Sequence, residues 1–248
     1  MEKKDDRKKE RLNKIIAIAG ITSRRRADEL ISLGLVTVNG QVDKRVGSKA
    51  VWGVDSINVD GHPIPDPPKK TYLLLNKPFG YVSTLHDPEG RPIIRDLVKD
   101  VKERIYPIGR LDFDSSGLLI LTNDGEFAYR LMHPKFHIPR TYKVIVEGSI
   151  SDTSVEKLKK GVILGDGPTN PARVRIIEIQ HGRSVVRITI FEGRSREIRR
   201  MCEAVGHKII KLTRIRYGNL NLGGLKVGKY RHLKNVEVKA LRKSVGLD

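Results

Sequence analysis

The stretch PIPDPPKK, Pro63 to Lys70, constrains this chain more than any other. Its four prolines can neither extend a strand ladder nor continue a helix. Residues 65–70 therefore read as a linker, which divides the 248 residues into a small module, 10–64, and a larger body, 71–234. The charged ends, 1–9 and 235–248, read as loosely held basic tails.

Within the small module, Leu12, Ile15, Ile16 and Ala19 recur at helical spacing, and Gly20 is a stop signal. A second helix is predicted from Ser23, a good N-cap, with Ala27, Leu30 and Ile31 on its apolar face and Gly34 at its end. LVTVNGQV then gives a strand, an Asn-Gly turn and a returning strand, and SINVDGHPI adds another strand and turn. Arg24, Arg25 and Arg26 occupy the first turn of the second helix. Cations there oppose the helix dipole by roughly 0.3–1 kcal/mol each. A helix N-terminus is also an anion site, so the run points to phosphate contacts over a merely solvated face.

The larger body reads as strands outnumbering helices. Buried strands are predicted at Tyr72–Leu75 and Leu118–Leu121, and a half-buried one at RTYKVIVEG. RVRIIEIQ and SVVRITIF form a hairpin, and KIIKLTRIRYG returns as a strand. EFAYRLM, TSVEKLKKG and SREIRRMCEAVG read as helices. The expected class is α+β: a helix–helix–hairpin module followed by a mostly antiparallel sheet with flanking helices.

A formal net charge of +19 predicts an anionic partner, with nucleic acid foremost. The single cysteine, Cys202, excludes an intrachain disulfide and a cysteine-based zinc site, and reads as a buried helix residue. No apolar run approaches the roughly 20 residues of a membrane span, and the charged start MEKKDDRKKERL has no signal-like apolar segment. A cytoplasmic protein is expected.

Asp112, Tyr142 and Arg199 stand out as chemical candidates, although each also has a structural explanation: a turn cap, a core aromatic, an outward cation. Asp114 competes with Asp112 on equal terms, since a spacing of two puts both on one side of an extended strand.

Arg11-Leu12, SRRRA and VTVNG together resemble the S4-type RNA-binding domain over about residues 10–64. LLNKPFG, GRLDFDSSGLLILTNDGE, RTYKV and EGRSREIRRM, in that order, resemble the bacterial ribosomal pseudouridine synthase family that carries such a domain in front. The resemblance covers nearly the whole chain. It implies that Asp112 is the essential aspartate, Tyr142 the active-site tyrosine and Arg199 the basic residue paired with the aspartate. The implied RNA contacts are Arg11, Lys14, Ser23, Arg24, Arg25, Arg26, Asn39, Lys77, Arg110, Arg194, Arg196 and Arg200. This chain has Arg140 where the family more often has Lys, and Ser115-Ser116 where it often has Thr-Glu.

The chemistry so implied is an isomerisation of uridine, which demands no cofactor and no metal. A carboxylate can act in it as nucleophile or as base, and both roles stay open. The expected partner is ribosomal RNA, 23S in preference to 16S, met by a monomer. Two rivals are a non-catalytic RNA-binding or ribosome-assembly protein and a metal-dependent nuclease built on Asp112, Asp114 and Asp124. The second is disfavoured because Asp124 lies beyond a strand of several residues.

Overall fold

The computed structural model describes residues 9–247, so most of the expected N-terminal tail lies outside the described residues. The chain divides after Lys70 into two compact units.

In the first unit, helices α1 (Leu12–Ile18) and α2 (Arg24–Ser32) pack over short antiparallel strands. The Ser23 hydroxyl accepts from the Arg26 amide at 3.2 Å and caps α2. Strands Val36–Val38 and Gln41–Val42 are joined across Asn39 and Gly40, both at positive φ, the backbone an Asn-Gly hairpin turn requires. Leu12, Ile15, Ile16, Ala27, Ile31, Val36, Ile57 and Val59 form its core. Each such aliphatic side chain contributes about 1.5–3 kcal/mol by leaving water.

The second unit is built on one sheet. Its main path runs Arg173–Gln180, Arg183–Ile190, Arg140–Glu147, Ile209–Tyr217, Ser116–Thr122, Tyr72–Lys77 and Tyr230–His232. Neighbours on this path are antiparallel except Ile209–Tyr217 and Ser116–Thr122, which run parallel. The wholly apolar runs in the sequence follow from coverage of both faces. Leu73, Leu75, Leu119 and Leu121 face a core that includes Val155 and Leu158 of α4 (Asp152–Lys160) and Ile198 and Met201 of α5 (Glu197–Ala204). Leu74, Leu118 and Ile120 face the opposite core, with Phe127 and Leu131 of α3 (Gly125–Met132). This is the α+β class with a mostly antiparallel sheet.

One element departs from expectation. The C-terminal segment is not a loose tail: Asn235–Ser244 forms α6, and Leu241 and Val245 are buried in the same core as Phe127. Arg130 of α3 donates to the Val245 and Gly246 carbonyls at 3.0 and 2.6 Å, which ties the residues just after α6 to α3.

The parallel strand pair positions the site. Gly117 stands opposite Arg214, and a Cβ at Gly117 would lie 2.2 Å from the Arg214 carbonyl oxygen. With φ at +106°, only glycine allows this approach. Arg214 is in turn registered against Tyr142. The sheet thus aligns the start of Ser116–Thr122, the middle of Ile209–Tyr217 and the start of Arg140–Glu147.

Candidate active site

A cleft of about 570 Å³ opens over that row. Asp112, Arg110, Tyr142, Arg194, Arg196 and Arg214 are among its walls. Asp112 reaches it from a turn, in which the Ser115 amide donates to the Asp112 carbonyl at 3.0 Å. The two aspartates are therefore not on one side of an extended strand, as their spacing suggested. The strand begins only at Ser116; the two carboxylates share Arg196, and Arg199 pairs with Asp114.

Arg199 is not opposite Asp112. Its Nη2 lies 3.1 Å from Asp114 Oδ1 and donates to the Asp114 carbonyl at 2.9 Å. Among the described residues, the cation that pairs with the Asp112 carboxylate is Arg196, 3.9 Å away and also 3.6 Å from Asp114. Arg196 caps α5 with φ at +49°, a left-handed conformation that costs a non-glycine residue about 1–3 kcal/mol. The Asp112 side chain is 37% exposed, open enough to meet a ligand from solvent.

Tyr142, on strand Arg140–Glu147, is buried except for the part that lines the cleft. Beside it lie groups that sequence reasoning missed. Tyr217 donates to the Leu131 carbonyl at 2.7 Å, and the guanidinium groups of Arg140 and Arg214 lie 5.3 and 5.2 Å from its ring. Arg214 is buried, donates through Nε to the Leu118 carbonyl at 2.7 Å, and has no partner for Nη2 among the described residues. Nothing in the one-letter pattern marks an arginine inside a strand as buried.

Glu197, the first residue of α5, is buried in the cleft wall. Burial pushes its carboxyl up to about 7; the Arg194 amide opposes the shift, and the neighbouring Glu192 adds to it. Glu192 goes the other way: against desolvation, the Asn170 amide and Arg194 hold its carboxyl below the usual range.

The expected RNA contacts separate into two groups. Lys77 has no exposed surface, and its ammonium donates to the carbonyls of Pro78, Asp112 and Ser115 at 3.1, 3.1 and 2.7 Å. It is a positioning residue beneath the turn, not a surface cation. Desolvation lowers its pKa to about 8, against the pull of Asp112 and Asp114. Arg200 pairs with Asp166 at 2.8 Å, and Arg194 with Glu192 at 3.0 Å. In the first unit, Lys14 pairs with Glu10 and Arg26 with Glu29. The Asn39 amide is taken up by Asp55 and the Ser56 amide. Arg11, Arg24, Arg25 and Arg110 are exposed and form no ion pair among the described residues.

Among the described residues, no three His, Cys, Asp or Glu side chains converge as a metal site would. Asp124 instead caps α3 through the Phe127 amide and accepts from the Tyr72 hydroxyl at 2.8 Å.

Residues 71–204 match the family model described as RNA pseudouridylate synthase, and residues 10–49 match the S4 domain. The chain belongs to the RNA pseudouridylate synthase family. Similar members include the Bacillus subtilis (strain 168) protein named ribosomal large subunit pseudouridine synthase B. It is 48% identical over 94% of this chain and 96% of its own length. A Yersinia pestis protein of the same name is 40% identical over 96% of this chain and 77% of its own. A crystal structure described as a pseudouridylate synthase superposes with a TM-score of 0.66 at 31% identity, covering 93% of this chain and 99% of that one. The cleft described above thus belongs to a pseudouridine synthase.

Proposed function

We propose that this synthase isomerises one uridine of ribosomal RNA, in the 23S molecule, with Asp112 as the essential carboxylate. The observation that carries the reading is the position of Asp112. It is a half-exposed carboxylate at a cleft walled by Tyr142 and by the cations Arg110, Arg194 and Arg196. The names of the Bacillus and Yersinia relatives, both large-subunit synthases, support the choice of RNA.

The reaction breaks the N1–C1′ bond, turns the base and rejoins it through C5. N1 gains a proton and C5 loses one, so atoms balance without a donor. The target nucleotide must first leave its stack, at about a few kcal/mol. Asp112 supplies the oxygen that acts on C1′ or the base, as nucleophile or as base. Tyr142 offers a flat face to the freed uracil and a hydroxyl for the closing deprotonation. Arg196 is the guanidinium that keeps Asp112 oriented. Exposed arginines of the S4-type module, Arg11, Arg24 and Arg25, add backbone affinity that falls with salt. The enzyme works as a monomer in the cytoplasm.

The test is to incubate unmodified ribosomal RNA with wild type and with Asp112→Asn, then map pseudouridine by carbodiimide labelling and primer extension. A stop at one 23S uridine, made by wild type alone, is expected. A stop in 16S RNA would overturn the substrate. Tight binding with no stop, on naked RNA and on partly assembled subunits, would leave a non-catalytic assembly role.

A further inference from the structure

Two of the five phenylalanines stand out in water beside the candidate active site. Phe79 is 67% exposed and Phe113 45%, and their ring centroids are 6.4 Å apart at an interplanar angle of 52°. Phe113 is the residue after Asp112, in the same turn. Phe79 sits in the loop that follows strand Tyr72–Lys77.

The two loops are bound to each other. The Gly80 amide donates to the Phe113 carbonyl at 2.9 Å. Lys77 bridges the Pro78 and Asp112 carbonyls. The rings are thus held as a pair at the position that Asp112 shares, not left on a free loop. Neither joins a buried core cluster, so folding gives no reason for them to be aromatic. Exposed apolar surface of this kind marks a contact site.

We propose that Phe79 and Phe113 form a stacking platform for an unpaired base of the substrate RNA, next to the uridine that enters the cleft. The inference rests on the function proposed above. The choice of a nucleobase follows from the surroundings: exposed Arg110 stands three residues before Phe113, exposed Arg196 lies 3.9 Å from the neighbouring Asp112, and aromatic rings together with cations are how proteins hold unpaired nucleotides. Extracting a uridine also strips its neighbour of a stacking partner, and a ring replaces that lost face.

The test uses a full-length unmodified 23S transcript labelled with tritium at uridine C5, with tritium release as the measure of turnover. Phe79→Ala with Phe113→Ala is expected to lower kcat/KM about tenfold or more, with melting temperature and circular dichroism unchanged. Trp at both positions restores activity and Leu at both does not. Full activity in the alanine pair overturns the proposal. Equal rescue by leucine also overturns it, because the rings would then be an apolar contact, such as one for a protein. Ultraviolet cross-linking of wild type to the same transcript separates this inference from its parent. An adduct on Phe79 or Phe113 supports the platform whether or not pseudouridine forms; adducts elsewhere only would count against it. Absence of tritium release by wild type, by contrast, strikes the parent reading alone.

Discussion

The buried Lys77 ammonium donates to the backbone oxygen of Asp112 at 3.1 Å, so a lysine underlies the residue proposed to do the chemistry. Its bond to Ser115 closes the same turn, and its bond to Pro78 ties that turn to the loop after strand Tyr72–Lys77. Lys77→Met leaves these carbonyls without their donor, and it is expected to destabilise the protein by about 2–3 kcal/mol at pH 7. Turnover should fall about tenfold or more through a loosened Asp112, while affinity for RNA and its salt slope stay near wild type. Urea unfolding and salt-dependent filter binding check both halves. A flattened salt slope would mean that Lys77 meets phosphate after all.

Glu197 gives a pH dependence of known sign. Its carboxyl titrates near 7 when folded, against an ordinary value of 4.5. The folded state therefore binds the proton more tightly. The stability this confers is fully present below about 4.5 and is lost as pH rises through about 7. The loss is up to about 3 kcal/mol, shared with Glu192. Glu197→Gln keeps the shape and removes the titration. Urea unfolding at pH 5 and pH 8 should show a smaller drop in the variant, which should exceed wild type in stability at pH 8.

How far these features could be read from residues alone depended on where charge was placed. The Asn39-Gly40 turn and the strands at Leu73–Leu75 and Leu118–Leu121 follow from backbone chemistry and apolar runs, which local sequence reports well. Lys77 and Arg214 do not: a lysine or arginine reads as a surface cation until tertiary packing surrounds it. The partner of Arg199 was hidden for a different reason. Whether Asp112 and Asp114 share a face depends on whether the chain is extended or turned there, and only the Ser115–Asp112 hydrogen bond decides that.

Helix α6 was obscured by its own composition, in which the basic residues Lys239, Arg242 and Lys243 outnumber the buried apolar one, Leu241. Because Leu241 is 1% exposed and packs against the α3 core, Leu241→Ala should cost about 2–5 kcal/mol. Removal of residues 235–248 should cost more, since Arg130 also loses the Val245 and Gly246 carbonyls. Chemical denaturation of both variants measures this. A loose tail would leave the unfolding midpoint where it was.

The two aspartates of the turn should separate in kinetics. Asp112 lines the cleft with Arg196 at 3.9 Å, whereas Asp114, which does not line it, is held by Arg199 at 3.1 Å and Arg196 at 3.6 Å. If Asp112 acts on the nucleotide, Asp112→Asn removes the reacting oxygen, and single-turnover tritium release should fall by about 10³-fold or more, with RNA binding retained. Asp114→Asn removes the ion pairs to Arg199 and Arg196 but leaves Arg199 its bond to the residue 114 carbonyl, so the turn persists and the loss should be about 3–30-fold. Combining Asp114→Asn with Arg199→Gln should add little beyond the more damaging single change, because both disrupt one contact. An inactive Asp114→Asn beside an active Asp112→Asn would exchange the two roles. The turn would then hold Asp112 as the structural carboxylate and present Asp114, with Arg199 at its side, to the uridine.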